Sequence, residues 1–294
     1  MSSSINIAIL GANGQLGQEF KWMAPQYRDI HFEFYSKNQL DILDANAINN
    51  ALSSGAFDYV INCAAYTKVD AAEQESALCF AVNTEACHSI VDALKGTKTR
   101  LIHFSSDYVY HTYNRFPLKE NDITQPQGIY AQSKLQGEQI LRGSGIPVLI
   151  LRTSWVISSF GHNFVKTMMR LGKEKSSINV VNDQYGTPTY ARDLAEKVLD
   201  IIQKIESKQI DESSFNDTYN YASEGIITWY DLASQIMTEK GLNCTVQPIS
   251  SSSFPTLAKR PYWSVMSKHK ITRTFGIKVP HWYTVLKGCL NNIG

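Results

Sequence analysis

Tyr130-Ala-Gln-Ser-Lys134 sets a phenol and an amine four residues apart, which puts them on one face of a helix. A free phenol ionises near pH ~10, and a neighbouring ammonium, aided by a cationic nicotinamide, would stabilise the phenolate and lower that value. In the direction of carbonyl reduction the phenol donates a proton to the carbonyl oxygen as hydride reaches carbon, while Lys134 can also hold the nicotinamide ribose. Ser106, within Ser105-Ser106-Asp107, is a second donor to the same oxygen as charge develops there. Tyr and Lys at this spacing are common on helix surfaces; a glycine loop upstream gives them chemical meaning.

That loop is Gly11-Ala-Asn13-Gly14-Gln15-Leu16-Gly17, directly after the apolar run Ile5 to Leu10. Glycine permits a tight turn and close approach of backbone to a pyrophosphate, and the following helix start favours anionic charge. The spacing is GxxGxxG rather than GxGxxG, the form used by short-chain reductases. Asn13, Gln15 and Leu16 join the three glycines as candidate dinucleotide-binding residues. NAD enzymes commonly carry an acid at the tip of the second strand. Here the tip reads Phe34-Tyr35-Ser36-Lys37-Asn38. Lys37 suits a 2′-phosphate, which favours NADP(H) and leaves NAD(H) open; it reads equally well as an exposed loop lysine.

Strands and helices alternate through the first half. Strands are expected at Ile5 to Leu10, His31 to Tyr35, Tyr59 to Cys63, Arg100 to Ser105 and Pro147 to Thr153. Helices are expected at Gln15 to Met23, Asp44 to Ser53, Asp70 to Gln74, Ala77 to Leu94 and Tyr130 to Leu141. This alternation predicts a doubly wound parallel α/β sheet, with ligands at the carboxyl ends of its strands. Past Arg152 the pattern loosens: helices at Asn163 to Gly172, Arg192 to Ile205 and Thr228 to Lys240, strands at Ile178 to Val181 and Thr218 to Ala222, and a Ser- and Pro-rich loop from Ser250 to Pro261. A cofactor domain over 1–152, completed by parts of 178–222, is expected beside a smaller, less regular C-terminal substrate lobe at 153–177 and 223–294.

Composition narrows the function classes. A net charge of +1 leaves no basic excess for nucleic acid or anionic membrane. No apolar run approaches the roughly 20 residues of a membrane span, and the N-terminus lacks the regions of a signal peptide. Five cysteines without a CxxC pair argue against a disulfide framework or structural zinc and for free thiols in the cytoplasm.

The chain resembles the dTDP-4-dehydrorhamnose reductases, extended short-chain enzymes, along essentially its whole length. Besides the two motifs above, the carriers are Asn62 to Glu73, Ser105 to Tyr110, Leu151 to Val156, Asn163-Phe164, Asp183 to Thr189, Thr228 to Tyr230 and Ala258 to Pro261. The resemblance implies a Rossmann-type fold and NAD(P)H-dependent reduction of the C4 keto group of dTDP-4-dehydro-L-rhamnose. It further implies Ser106, Tyr130 and Lys134 as the catalytic set, with Asp107 and Trp155 against the sugar. Asp41, Ile42, Ala64, Ala65, Tyr66 and Thr67 would line the cofactor site, with Phe104 nearby. Arg260 would bind the diphosphate, or else be a surface ion pair. Some members are metal-linked dimers, to which Glu19 could contribute; no ligand set assembles here, so no metal is assigned and a monomer or homodimer is expected. The family usually has Ser-Thr-Asp where this chain has Ser105-Ser106-Asp107, and alanine where it has Cys63. His103 and His162 read as structural.

Two related readings compete. Dehydratases and epimerases share the fold and the Tyr–Lys pair, but the dehydratases place a second acid where this chain has Tyr108. A reductase of another dTDP-4-keto-6-deoxysugar, or a regulatory relative without activity, would share most of these motifs.

Overall fold

The structure, a computed structural model, describes residues 4–293. Strands β1 (Ile5–Leu10), β2 (Ile30–Tyr35), β3 (Tyr59–Asn62), β4 (Arg100–Ser106) and β5 (Val148–Thr153) join Asp217–Tyr221 in one six-stranded sheet. Its order is Asp217–Tyr221, β5, β4, β3, β1, β2, and every pairing is parallel. The strands are apolar on both faces because helices cover both. Ile7, Ile9 and Ile61 pack on one side with Leu194, Val198 and Ile202 of helix Ala191–Glu206. Ala8, Leu10 and Val60 pack on the other with Ile48, Ile90 and Leu94.

The chain leaves β1 toward β2 on one side and returns to β3 on the other. A crevice therefore opens beyond the carboxyl ends of β1 and β3, where α/β sheets bind ligands. The glycine loop follows β1 and Cys63–Thr67 follows β3, so both cofactor motifs meet at that crevice.

Beyond β5 a second core gathers Ile157, Val165, Leu232, Ile236 and Leu286. It is built from helices Phe164–Glu174, Trp229–Glu239 and Trp282–Asn291, with small strand pairs such as Ser177–Val181 against Thr245–Ile249. The expected Thr228 cap is a full capping box, closed by Asp231. Among the described residues no helix is long and apolar enough to cross a membrane.

The single helix expected over Ala77 to Leu94 is instead interrupted by a π-helical turn at Ala81–Glu85. Three C-terminal elements were not foreseen. Thr245–Ile249 is largely exposed and carries Pro248. His269–Phe275 is short and stops at Gly276, whose φ is 62°. Trp282–Asn291 begins with aromatic and β-branched residues of modest helix propensity.

The helix carrying Tyr130 and Lys134, Ile129–Gly143, is bolted to β5 by a fully buried ion pair. Arg152 Nε donates to Glu138 Oε1 at 2.9 Å and Nη2 to Oε2 at 2.7 Å. The same guanidinium donates to Tyr110 Oη at 2.6 Å and the Glu120 carbonyl at 3.1 Å, so every partner is satisfied. Removing one charge strands the other in the core. Glu138→Gln is expected to lose about 3–5 kcal/mol of stability in urea titration; a loss under about 1 kcal/mol would show the pair to be structurally dispensable.

Candidate active site

The glycine turn is shaped by backbone contact. Gly11 has φ +74°, and a Cβ there would lie 2.6 Å from the Ala64 nitrogen, so the loops after β1 and β3 touch directly. A Cβ on Gly17 would meet Ala12 Cα at 2.6 Å; Gly17 closes the helix onto the turn and borders neither cavity of the crevice. Gly14 has only the Gly11 carbonyl near its Cβ position, at 3.3 Å, and borders both cavities of the crevice. Room without side chains, at the start of helix Gln15–Met23, fits a dinucleotide pyrophosphate.

One cavity is bordered by Gly11, Asn13, Lys37, Asp41 and Ile42, and on its other wall by Ala64, Ala65, Tyr66 and Thr67. Lys37 is largely exposed, with Nζ 3.8 Å from Asp41 Oδ2. A second cavity shares Gly14, Ala65 and Thr67 with the first and continues to Gln15, Leu16 and Phe104. Its far end holds Ser106, Asp107, Tyr130, Lys134 and Trp155. Of the sequence-predicted residues, Gly17 and Arg260 border neither cavity.

Helix Ile129–Gly143 starts after Gly128, at φ 84°, and Glu73 Oε1 accepts from the Ile129 N–H at 2.9 Å. Asn83, in the π turn, accepts from the Tyr66 N–H at 2.9 Å and donates to the Tyr66 carbonyl and to Ser133 Oγ at 3.1 and 3.0 Å. Ser133 in turn donates to the Tyr130 carbonyl at 2.8 Å. One buried amide thus links the loop after β3 to helix Ile129–Gly143. Sequence reasoning missed Glu73, Asn83 and Ser133; the signal available for Asn83 was a polar residue on the buried face of an apolar helix. Cys63, read as a packing change, also borders both cavities, and burial pushes its thiol up.

Lys134 is 2% exposed and donates to the Phe104 carbonyl at 2.7 Å. Burial lowers its pKa below the ordinary lysine value. The Tyr130 phenol is pushed up to about 12 by burial, only partly offset by the Ser106 hydroxyl. The lowering expected from Lys134 with a cationic nicotinamide concerns the oxidised complex; within the protein alone desolvation dominates. Tyr130 is therefore protonated near neutral pH. Its ring meets Tyr108 edge-on, with centroids 5.5 Å apart.

Ser106 Oγ donates to Asp107 Oδ1 at 3.0 Å and accepts from the Tyr108 N–H at 3.2 Å. Asp107 is 2% exposed and its Oδ2 has no partner. Burial raises its carboxyl to about 7, against the Ser106 hydrogen bond. Trp155 has φ 46°, in the left-handed region. It stacks on Trp229 with centroids 3.6 Å apart, and a Cβ on Gly186 would strike its ring at 2.7 Å. Trp229 and Gly186 thus fix the indole against the cavity.

Arg260 Nη2 pairs with Asp70 Oδ2 at 2.5 Å. Burial would raise the Asp70 carboxyl, but bonds from Arg260 and the Ala258 N–H outweigh it and hold it below its ordinary value. The metal-linked role considered for Glu19 does not fit its setting: it is fully buried, paired with Arg192 Nε at 2.7 Å and bonded by Ser158 Oγ at 2.6 Å. His103 is buried on β4 as a neutral ring, while His162 borders the second cavity.

A family model described as the RmlD substrate binding domain matches residues 5–294. The dTDP-4-dehydrorhamnose reductase of Aggregatibacter actinomycetemcomitans is 35% identical, over 96% of this chain and 97% of its own length. That of Escherichia coli (strain K12) is 32% identical over 98% of each. A crystal structure of a dTDP-4-dehydrorhamnose reductase from Clostridium acetobutylicum superposes with a TM-score of 0.90 at 33% identity, covering 98% and 99% of the two chains. One from Bacillus anthracis, solved in complex with NADP, gives 0.89 at 32% identity with the same coverage.

The buried Asp107 carboxyl makes stability depend on pH. Its folded value, about 7, lies above the ordinary 3.8, so the folded state binds more protons and loses stability as pH rises through that window. Asp107→Asn removes this penalty. Its melting temperature relative to the unchanged chain is expected to rise between pH 5 and pH 8 by thermal denaturation; a constant difference would place the carboxyl's pKa outside that range.

Proposed function

The chain belongs to the dTDP-4-dehydrorhamnose reductase family, and we propose that it reduces the C4 keto group of dTDP-4-dehydro-L-rhamnose to dTDP-L-rhamnose with NADP(H) as preferred cofactor. The observation that carries this reading is a pair of adjoining cavities that share Gly14, Ala65 and Thr67, one edged by the glycine turn and the other by Ser106, Tyr130 and Lys134. The NADP complex of the Bacillus anthracis relative supports the cofactor assignment.

The glycine turn and the Ala64–Thr67 loop would hold the dinucleotide, with Lys37 toward a 2′-phosphate and Lys134 toward the nicotinamide ribose. Bound there, the reduced nicotinamide supplies hydride to the C4 carbon. Tyr130 Oη gives its proton to the C4 oxygen, and the Ser106 hydroxyl bonds the same oxygen while its charge develops. Lys134 then stabilises the phenolate left on Tyr130. Asp107, with a free carboxylate oxygen, orients a sugar hydroxyl, and Trp155 packs against the ring. Arg260 is the diphosphate ligand, exchanging Asp70 for phosphate oxygens. In this reading residues 1–152 with parts of 178–222 carry the cofactor, and 153–177 with 223–294 carry the sugar nucleotide.

Tyr130→Phe is expected to keep cofactor affinity and lower kcat about a hundred- to ten-thousand-fold, followed as loss of reduced-nicotinamide absorbance. The chain is assayed with a panel of dTDP-4-keto-6-deoxysugars. Faster turnover of another member would reassign the substrate. Absence of any Tyr130-dependent reduction would sink the enzyme reading and leave a regulatory relative. Lys37→Ala is expected to raise the KM for NADPH about tenfold, the loss of one charge-assisted contact, and to leave that for NADH nearly unchanged. Equal changes for both would remove Lys37 from cofactor choice.

A further inference from the structure

His103 sits on β4, 2% exposed, between two polar groups that the chemistry above does not explain. On one side Asn62 Nδ2 lies 3.3 Å from its Nδ1; on the other, Lys134 Nζ lies 3.4 Å from its Nε2. The orientation of Asn62 is fixed independently, because its Oδ1 accepts from the Ala64 N–H at 3.1 Å. Turning the amide over would set an N–H against that N–H. Asn62 therefore offers His103 a donor, so Nδ1 must accept and the neutral ring carries its hydrogen on Nε2. That Nε2–H points at Nζ.

We propose that His103 is a positioning residue for Lys134: locked as the Nε2–H tautomer by Asn62, it closes the inner side of Nζ to an ammonium proton and directs the protons of Nζ to the Phe104 carbonyl and the open cleft. The inference deepens the reading under Proposed function and rests on it for the role of Lys134. An ammonium at Nζ finds one acceptor, Phe104, and a donor where a second acceptor could have stood. A neutral amine would accept that Nε2–H with its lone pair. The arrangement thus turns the remaining protons of Nζ toward the open cleft that Tyr130 shares.

The other titratable groups around Nζ do not supply the missing acceptor. Cys79 and Cys87, on the helical segment packed against Ile129–Gly143, are held as thiols by burial. Glu138, one turn along from Lys134, has both oxygens occupied by Arg152. Tyr130 and Asp107 share the cleft on the outer side. The chain also ties the cofactor loop to the lysine, since Ala64 borders the first cavity and Lys134 the second.

The test begins on the resting protein without substrate. Two-bond nitrogen–proton correlation NMR of the histidine rings is expected to show His103 as a neutral Nε2–H tautomer from pH 6 to 9; an Nδ1–H tautomer would overturn the proposal. In His103→Gln the side-chain oxygen can accept from Nζ. The Lys134 titration, read from its 13Cε shift, and the alkaline limb of kcat are then both expected to move to higher pH by about one unit. A folded His103→Gln protein with neither midpoint moved would reduce His103 to packing. If this variant does not fold, the tautomer measurement decides alone. An Nε2–H tautomer in a chain without reductase activity would fail the proposed function and leave the hydrogen-bond order intact.

Discussion

Burying an ammonium costs several kcal/mol unless its protons are bonded, and this fold buries Lys134 without a carboxylate of its own. Glu138, the acid nearest on the same helix, is consumed by Arg152. Nζ depends instead on the Phe104 carbonyl. β3 ends opposite His103, so β4 runs on beside β5 alone, and the lysine reaches its backbone there. That reach requires the helix to lie close to the elements before it. Gly137 supplies the closeness, since a Cβ there would collide with the Asn83 carbonyl, inside the π turn. The ion pair, the glycine and the extra residue of the turn are parts of one solution to placing an amine in the interior.

The electrostatics that result favour neutral groups before ligands bind. Tyr130 stays protonated, Lys134 is disfavoured as an ammonium, and Asp107 holds its proton toward neutrality. The groups that set these shifts are themselves buried in the site. The site acquires charge when phosphate and nicotinamide arrive, in a region where water screens poorly and each interaction is stronger. Trp155 shows the same preparation in steric form. Its left-handed backbone is costly for a non-glycine residue and is held by the Trp229 stack and the space at Gly186.

Much of this was legible in the chain. Short apolar runs such as Ile7–Leu10 and Val148–Leu151, bounded by turn residues, read as strands covered on both faces, and glycine at 11, 14 and 17 follows from backbone approach. The meeting of Ser106 with Tyr130 and Lys134 in one cavity was also readable, because strand ends and helix starts share the same sheet edge. The π turn was not, since five residues at slightly altered spacing preserve the apolar face of a helix. Nor were Glu73 and Asn83: their partners, Ile129 and Tyr66, are remote or backbone groups that no periodicity marks. The C-terminal helices were hidden because their stability comes from the core around Leu286 and Phe275 rather than from local propensity.

The Arg260–Asp70 pair ties the Ser250–Pro261 loop to the short helix Val69–Ala72 after β3. Asp70 holds the Ser250–Pro261 loop from the sheet side, through Arg260 and the Ala258 N–H. Asp183 holds the same loop from the other lobe, accepting from the Ser251 N–H at 2.9 Å. Arg260 is 21% exposed and Asp70 43%, so water screens the pair and it contributes on the order of 1 kcal/mol or less. A diphosphate would offer the guanidinium bidentate acceptors and greater charge, as the proposed function requires. The Ala258 N–H bonds Asp70 Oδ1 and Arg260 bonds Oδ2, so the loop has an anchor that does not depend on the ion pair. The surface ion pair expected as the alternative for Arg260 is the arrangement present, and under the proposed function it would be given up to the substrate's diphosphate.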